Sequence, residues 1–183
     1  MILNSKIIGA DEKKIIILHG FLGSLDNWVT FAKKLSNNGY EVHLIDQRNH
    51  GKSFHSDDFN YELMANDLYK YLYEKNINKT SILGHSMGGK TAMLYSLMYP
   101  DTINKLIVVD ILPVNYNTNY DEIFEALLEI DLKEIRSRND FNIHLNKHFN
   151  DPNFILFLSK NLQRTSDGGF NFKSNIKVLY KKY

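Results

Sequence analysis

Gly84-His85-Ser86-Met87-Gly88 places a nucleophilic hydroxyl between two glycines, and it is here that the sequence most clearly offers chemistry. A serine attacks a carbonyl only if a base takes its proton and donors hold the negative charge that develops on the carbonyl oxygen. G-x-S-x-G meets the geometric half of that demand when it joins a buried strand to a helix. The glycines let the chain turn sharply, the hydroxyl projects from the sheet edge, and the helix N-terminus favours an anion. The chain has no cysteine, so thiol nucleophiles, thiolate metal sites and disulfides are excluded together. Any covalent catalysis must use another nucleophile, and Ser86 is the candidate this motif offers.

The second motif is His19-Gly20-Phe21-Leu22-Gly23. It follows the run Lys14 to Leu18, where an acyl-transfer enzyme of this layout needs its other oxyanion donor. The backbone N–H groups of Phe21 and Met87 are therefore the expected oxyanion hole, and Leu22 and His85 the expected substrate contacts. His19 is read as a brace for the loop. Asp46-Gln47-Arg48-Asn49-His50-Gly51-Lys52-Ser53 forms a third block. Here Gly51 suits a left-handed turn, and Asp46, Arg48 and Ser53 can satisfy loop backbone and pair with one another. His50 and His55 are expected as solvated loop residues near the site, with substrate contact the alternative. His144 and His148 stand four apart, a metal-binding spacing, but without a third ligand they read as one face of a surface helix. No metal and no cofactor are expected.

The elements that must position these residues follow from periodicity. Lys14 to Leu18, Glu41 to Asp46, Thr80 to Leu83 and Leu106 to Asp110 read as strands. Trp28 to Leu35, Tyr61 to Leu72 and Met87 to Tyr99 carry helical stripes, the last stopped by Pro100. Ile2 to Ile8 fits a short edge strand. Strand-helix alternation implies parallel crossovers with helices on both faces, an α/β fold. After Pro113 the pattern becomes helical. Tyr120 to Arg138, Phe154 to Leu162 and Ile176 to Leu179 show helical spacing, Asp167-Gly168-Gly169 marks a turn, and no further strand is expected. The organisation expected is residues 1–112 as core and 113–183 as a helical cap. Phe124, Leu127, Leu128 and Phe157 would fill the cap's core or line an acyl pocket.

These blocks, with Val109-Asp110-Ile111-Leu112-Pro113-Val114, together resemble the α/β-hydrolase superfamily and, within it, the small bacterial YbfF-type esterases. The resemblance covers nearly the whole chain. It implies hydrolysis of a small-molecule carboxylic ester or thioester through an acyl-serine, with Asp110 as the triad acid. Relatives that place the acid one strand later leave Asp110 an alternative role at the entry to the cap. In that superfamily two more strands follow the cap and the base histidine comes after the last of them. No histidine here follows such a strand. The chain is therefore expected to be C-terminally truncated, to lack its base and to expose Leu106 to Val109 as an apolar edge. The alternative is a non-catalytic module of the same fold that binds an acyl ligand or partner. Perhydrolysis and carbon–carbon cleavage also use this scaffold.

Composition bounds the rest. The 183 residues are 43% hydrophobic, enough for a full core, and 22 basic against 21 acidic side chains give no field for nucleic acid. No apolar run approaches the roughly 20 residues of a membrane span. The first residues lack a signal-peptide pattern, so a cytoplasmic protein is expected. Oligomeric state is not encoded in any motif.

Overall fold

The computed structural model describes residues 1–114, 116 and 120–182. They fall into two compact units, Met1–Val114 and Asn115–Tyr183.

The first unit is built on five strands: β1 (Ser5–Ile8), β2 (Lys13–Leu18), β3 (Tyr40–Ile45), β4 (Thr80–His85) and β5 (Ile103–Val109). Their order is β1-β3-β2-β4-β5. β1 runs antiparallel to β3 and the other pairings are parallel. Helices α1 (Val29–Ser36), α2 (Tyr61–Glu74) and α3 (Met87–Met98) connect them. Side chains alternate across a strand, so the continuous apolar run of β2 serves two faces. Ile16 and Leu18 pack with Leu68, Tyr71 and Tyr95 of α2 and α3. Ile15 and Ile17 pack with Val42, Leu44 and Ala32, under α1. Each such aliphatic side chain removed from water contributes about 1.5–3 kcal/mol. Continuous apolar strands are required because both faces are covered. The α/β layering expected from the alternation is what forms.

β5 differs from the inner strands. Among the described residues it pairs with β4 alone, and Leu106 and Ile107 remain 37% and 40% exposed.

The second unit contains α4 (Asp121–Leu128), α5 (Arg138–Leu145), α6 (Pro152–Ser159) and α7 (Ile176–Lys182), around a core that includes Phe141, Leu145, Leu158 and Leu179. The helix starts are well marked. Ser137 and Asp140 form a capping box on α5, and Asp151 caps α6 with Pro152 at its first position. Two expectations are corrected here. The segment to Arg138 is not one helix: α4 closes at Leu128, and Asp131 starts a separate turn by accepting from the Lys133 N–H at 2.9 Å. A hairpin of β6 (Leu162–Arg164) and β7 (Phe170–Phe172) also lies where no strand was expected. Three-residue strands are too short to show a period of two, and Leu162 falls four after Leu158, which imitates a continuing helix. The Arg138 guanidinium caps that junction, donating to the carbonyl of Leu162 at 2.7 Å.

Candidate active site

β4 ends at His85 and α3 begins at Met87, so Ser86 carries the whole change of direction, with φ 51° and ψ −117°. Such angles in a residue with a side chain cost about 1–3 kcal/mol and persist only where surroundings enforce them. The enforcement is visible. The Ser86 N–H donates to the Val109 carbonyl at 3.0 Å, while its own carbonyl accepts from Gly89 at 2.8 Å and Lys90 at 3.1 Å. A Cβ on Gly84 would lie 2.2 Å from the Gly88 carbonyl oxygen, and one on Gly88 would lie 2.5 Å from that of Leu18. Strand, helix and neighbouring strand meet so closely that both flanking positions exclude any side chain.

The loop after β2 passes directly beside this turn, since a Cβ on Gly20 would lie 3.3 Å from Ser86 Cβ. Leu22 bends the loop with φ 54°, and the Gly23 N–H closes it onto the Gly20 carbonyl at 3.0 Å. Met87 is the first residue of α3, and the first N–H groups of a helix have no intrahelical acceptor. Phe21 is buried at the same loop, its ring edge-on to His50. The two expected oxyanion donors thus belong to segments held against each other around Ser86.

Histidines hold that loop in place. His19 accepts the Gln47 N–H on Nε2 at 3.0 Å, so its proton is on Nδ1 and is donated to the Gly20 carbonyl at 2.8 Å. His50 likewise accepts the Leu22 N–H on Nε2 at 3.3 Å and donates from Nδ1 to the Arg48 carbonyl at 2.9 Å. Burial pushes His19 down to about 4 and, with His19 adjacent, His50 down to about 3. Both are neutral structural pins at neutral pH. The expectation that His50 is solvated is therefore wrong: it is 0% exposed, because the loop folds back over it. His55 is exposed as expected.

The loop after β3 is built around the Asp46 carboxylate. It accepts from the N–H groups of Leu25 and Lys52 at 2.8 and 2.9 Å and from the Asn4 amide at 2.7 Å. Gly51, at φ 59°, sits against it so closely that a Cβ would lie 2.1 Å from the carboxyl carbon. Ser53 donates to the Asp46 carbonyl at 2.5 Å. Arg48 departs from the pairing expected within the loop. Its guanidinium forks onto Asp67 of α2 at 2.6 and 2.9 Å and also donates to the Asp58 carbonyl. Nothing local in the sequence marks Asp67 as that partner.

Asp110 follows β5 as Ser86 follows β4, and it too has positive φ, 55°. Its side chain is 85% exposed, and the His85 ring lies beside it with Nε2 to Oδ2 at 3.7 Å, beyond hydrogen-bond reach. His85 also lies against the Trp28 ring, 5.9 Å between centroids. Ser86, His85 and Asp110 therefore share one edge of the sheet. No described residue hydrogen-bonds the Ser86 hydroxyl. Three of the seven histidines, His19, His43 and His50, already use both ring nitrogens.

The model of the alpha/beta hydrolase fold family matches residues 13–177. Esterase YbfF of Escherichia coli is 36% identical over 174 residues, covering 94% of this chain and 66% of its own length. The sn-1-specific diacylglycerol lipase ABHD11 of Danio rerio is 34% identical over 176 residues, covering 92% of this chain and 55% of its own. Among solved structures, a marine microorganism esterase superimposes with a TM-score of 0.95 at 40% identity, over 98% of this chain and 71% of that one. The chain thus spans less than two thirds of the length of these curated relatives. With the family model covering most of its residues and the strand-turn-helix geometry in place, the chain belongs to the α/β-hydrolase fold family.

Proposed function

We propose that the chain carries the nucleophile half of a serine hydrolase that cleaves small-molecule carboxylic esters or thioesters. The observation that carries this reading is the backbone of Ser86, strained at φ 51° in a turn whose flanking glycines admit no side chain. Ser86 Oγ would attack the acyl carbon as its proton passes to a histidine base. The N–H groups of Phe21 and Met87 would hold the oxyanion, and collapse would expel the alcohol or thiol, which takes that proton. Water would then release the acid from the acyl-serine with the same base. Asp110 would orient the histidine and balance its charge, which its place beside Ser86 on the sheet edge supports. Leu22 and His85 would border the substrate. The names of the relatives, an esterase and a lipase, describe carboxylic ester hydrolases and support the same class.

No described histidine is bonded to Ser86, so the base in this reading comes from outside these residues, and the chain alone is severely impaired. Losing a triad member costs roughly 10⁴- to 10⁶-fold in rate. The purified chain should therefore hydrolyse a p-nitrophenyl ester at a small fraction of ordinary esterase rates. Turnover at an ordinary rate that disappears in Ser86→Ala would refute the impairment while keeping the nucleophile. Turnover unchanged in Ser86→Ala would refute the nucleophile.

A further inference from the structure

Three side chains of the second unit that the hydrolase reading leaves unused converge on one point. Glu129 closes the C-terminal end of α4. His144 lies in the last turn of α5, and His148 lies one turn further on, its N–H donating to the Leu145 carbonyl at 3.0 Å. Each of the three offers one ligand atom, and these atoms all lie within 4.8 Å of one another. The two imidazole rings are 5.3 Å apart between centroids and tilted by 35°. The third ligand whose lack made His144 and His148 read as an ordinary helix face is therefore present, delivered by a different helix.

We propose that Glu129, His144 and His148 form a binding site for a divalent transition ion of the zinc type, clasping the end of α4 to the end of α5. Two imidazoles and one carboxylate are a donor set that zinc accepts, with water completing the tetrahedron. The geometry is close to what the ion requires. Bonds of 2.0–2.1 Å at tetrahedral angles set neighbouring ligand atoms about 3.3 Å apart. His148 Nε2 and Glu129 Oε2 stand at 3.7 Å. That is too long for a hydrogen bond, so an ion would displace no formed bond between them; a movement of a few tenths of an ångström closes this pair, and separations of up to 4.8 Å among the three ligand atoms close by at most about 1.5 Å through side-chain rotation. His144 is already oriented, its Nε2 lying 3.1 Å from the Ala126 carbonyl. A histidine that donates one ring N–H to a carbonyl keeps the other nitrogen unprotonated and directed, as metal-binding histidines commonly do. Lys147, between the two histidines in sequence, puts positive charge near His144, which favours modest affinity over tight binding. Magnesium and calcium, which prefer all-oxygen shells, would not be held.

The clasp joins two helices across the turn-rich residues 129–137, so occupancy should stabilise the fold in proportion to the logarithm of ion concentration. Zinc chloride titrated into the metal-free 183-residue chain in a calorimeter should bind with one equivalent per chain. At about 100 times the dissociation constant it should raise the melting temperature by roughly 5–10 °C. Glu129→Gln keeps an exposed residue of the same shape and should fold normally, yet weaken zinc binding by more than about tenfold. The double variant His144→Gln, His148→Gln should lose both the saturable heat and the thermal shift, while magnesium shifts neither protein. Saturable binding unchanged in the double variant would overturn the assignment by placing the ion elsewhere. Absence of any saturable binding to the unaltered chain would overturn the site altogether. Labelling of Ser86 is untouched by either outcome.

Discussion

The C-terminal edge of the sheet divides into two halves that use similar residues in opposite ways. After β2 and β3, His19, Asp46, Arg48 and His50 are buried and each is saturated with partners: both ring nitrogens of each histidine, several oxygen contacts on Asp46, a forked bond on Arg48. After β4 and β5, Ser86 and Asp110 sit at positive φ with part or most of their side chains open. Reactive residue types are therefore a poor guide to reactivity here. Saturation makes a histidine a brace, whereas Ser86 and Asp110, strained and with unsaturated side chains, are the positions to which the proposed chemistry is assigned.

That contrast predicts a graded response to substitution. The largest effect should come from Arg48→Ala, which leaves the Asp67 carboxylate buried without its partner; such losses cost about 3–5 kcal/mol. Urea unfolding should show the drop, and a loss under about 1 kcal/mol would mean that the saturated half is not the brace described here.

Acid should strike the same half. Unfolded histidines titrate near 6.5, whereas His19 and His50 are held at about 4 and about 3 in the fold. Below pH 6.5 the unfolded chain takes up protons that the folded one refuses, so stability present at neutral pH is lost as the pH falls toward 4. With both sites engaged the slope approaches about 2.7 kcal/mol per pH unit. Thermal melts across that window should fall steeply in the unaltered chain and less steeply in His50→Gln. Equal slopes in the two proteins would remove His50 from the account.

The smallest effect belongs to the other half. Asp110→Asn removes a charge from an exposed side chain that makes no hydrogen bond, and should alter the unfolding free energy by less than about 0.5 kcal/mol. A loss of several times that would make Asp110 part of the scaffold and erase the division between the halves.

How much of this was legible in the sequence follows the same line. The Ser86 turn could be read because its cause is local: the glycines, the preceding strand and the following helix all lie within a dozen residues. The layering of the first unit was legible because β2 carries Ile15 to Leu18 as an uninterrupted apolar run, as a strand covered on both faces requires. The burial of His50 was not, because it depends on Leu22, 28 residues away, folding over it. Arg48 found its partner in α2 for the same reason, and the β6–β7 hairpin was hidden by strands too short to show a period. Glu129 joins His144 and His148 only through the packing of two helices, which no spacing rule reports.

The central claim is that the strained turn makes Ser86 the reactive nucleophile, wanting only a base. A fluorophosphonate offered in excess, with free imidazole supplying that base, tests it most directly by intact-mass measurement and peptide mapping. The account predicts a single adduct on Ser86, formed faster as imidazole is raised and absent in Ser86→Ala. No adduct, or one that maps elsewhere and survives Ser86→Ala, would contradict it.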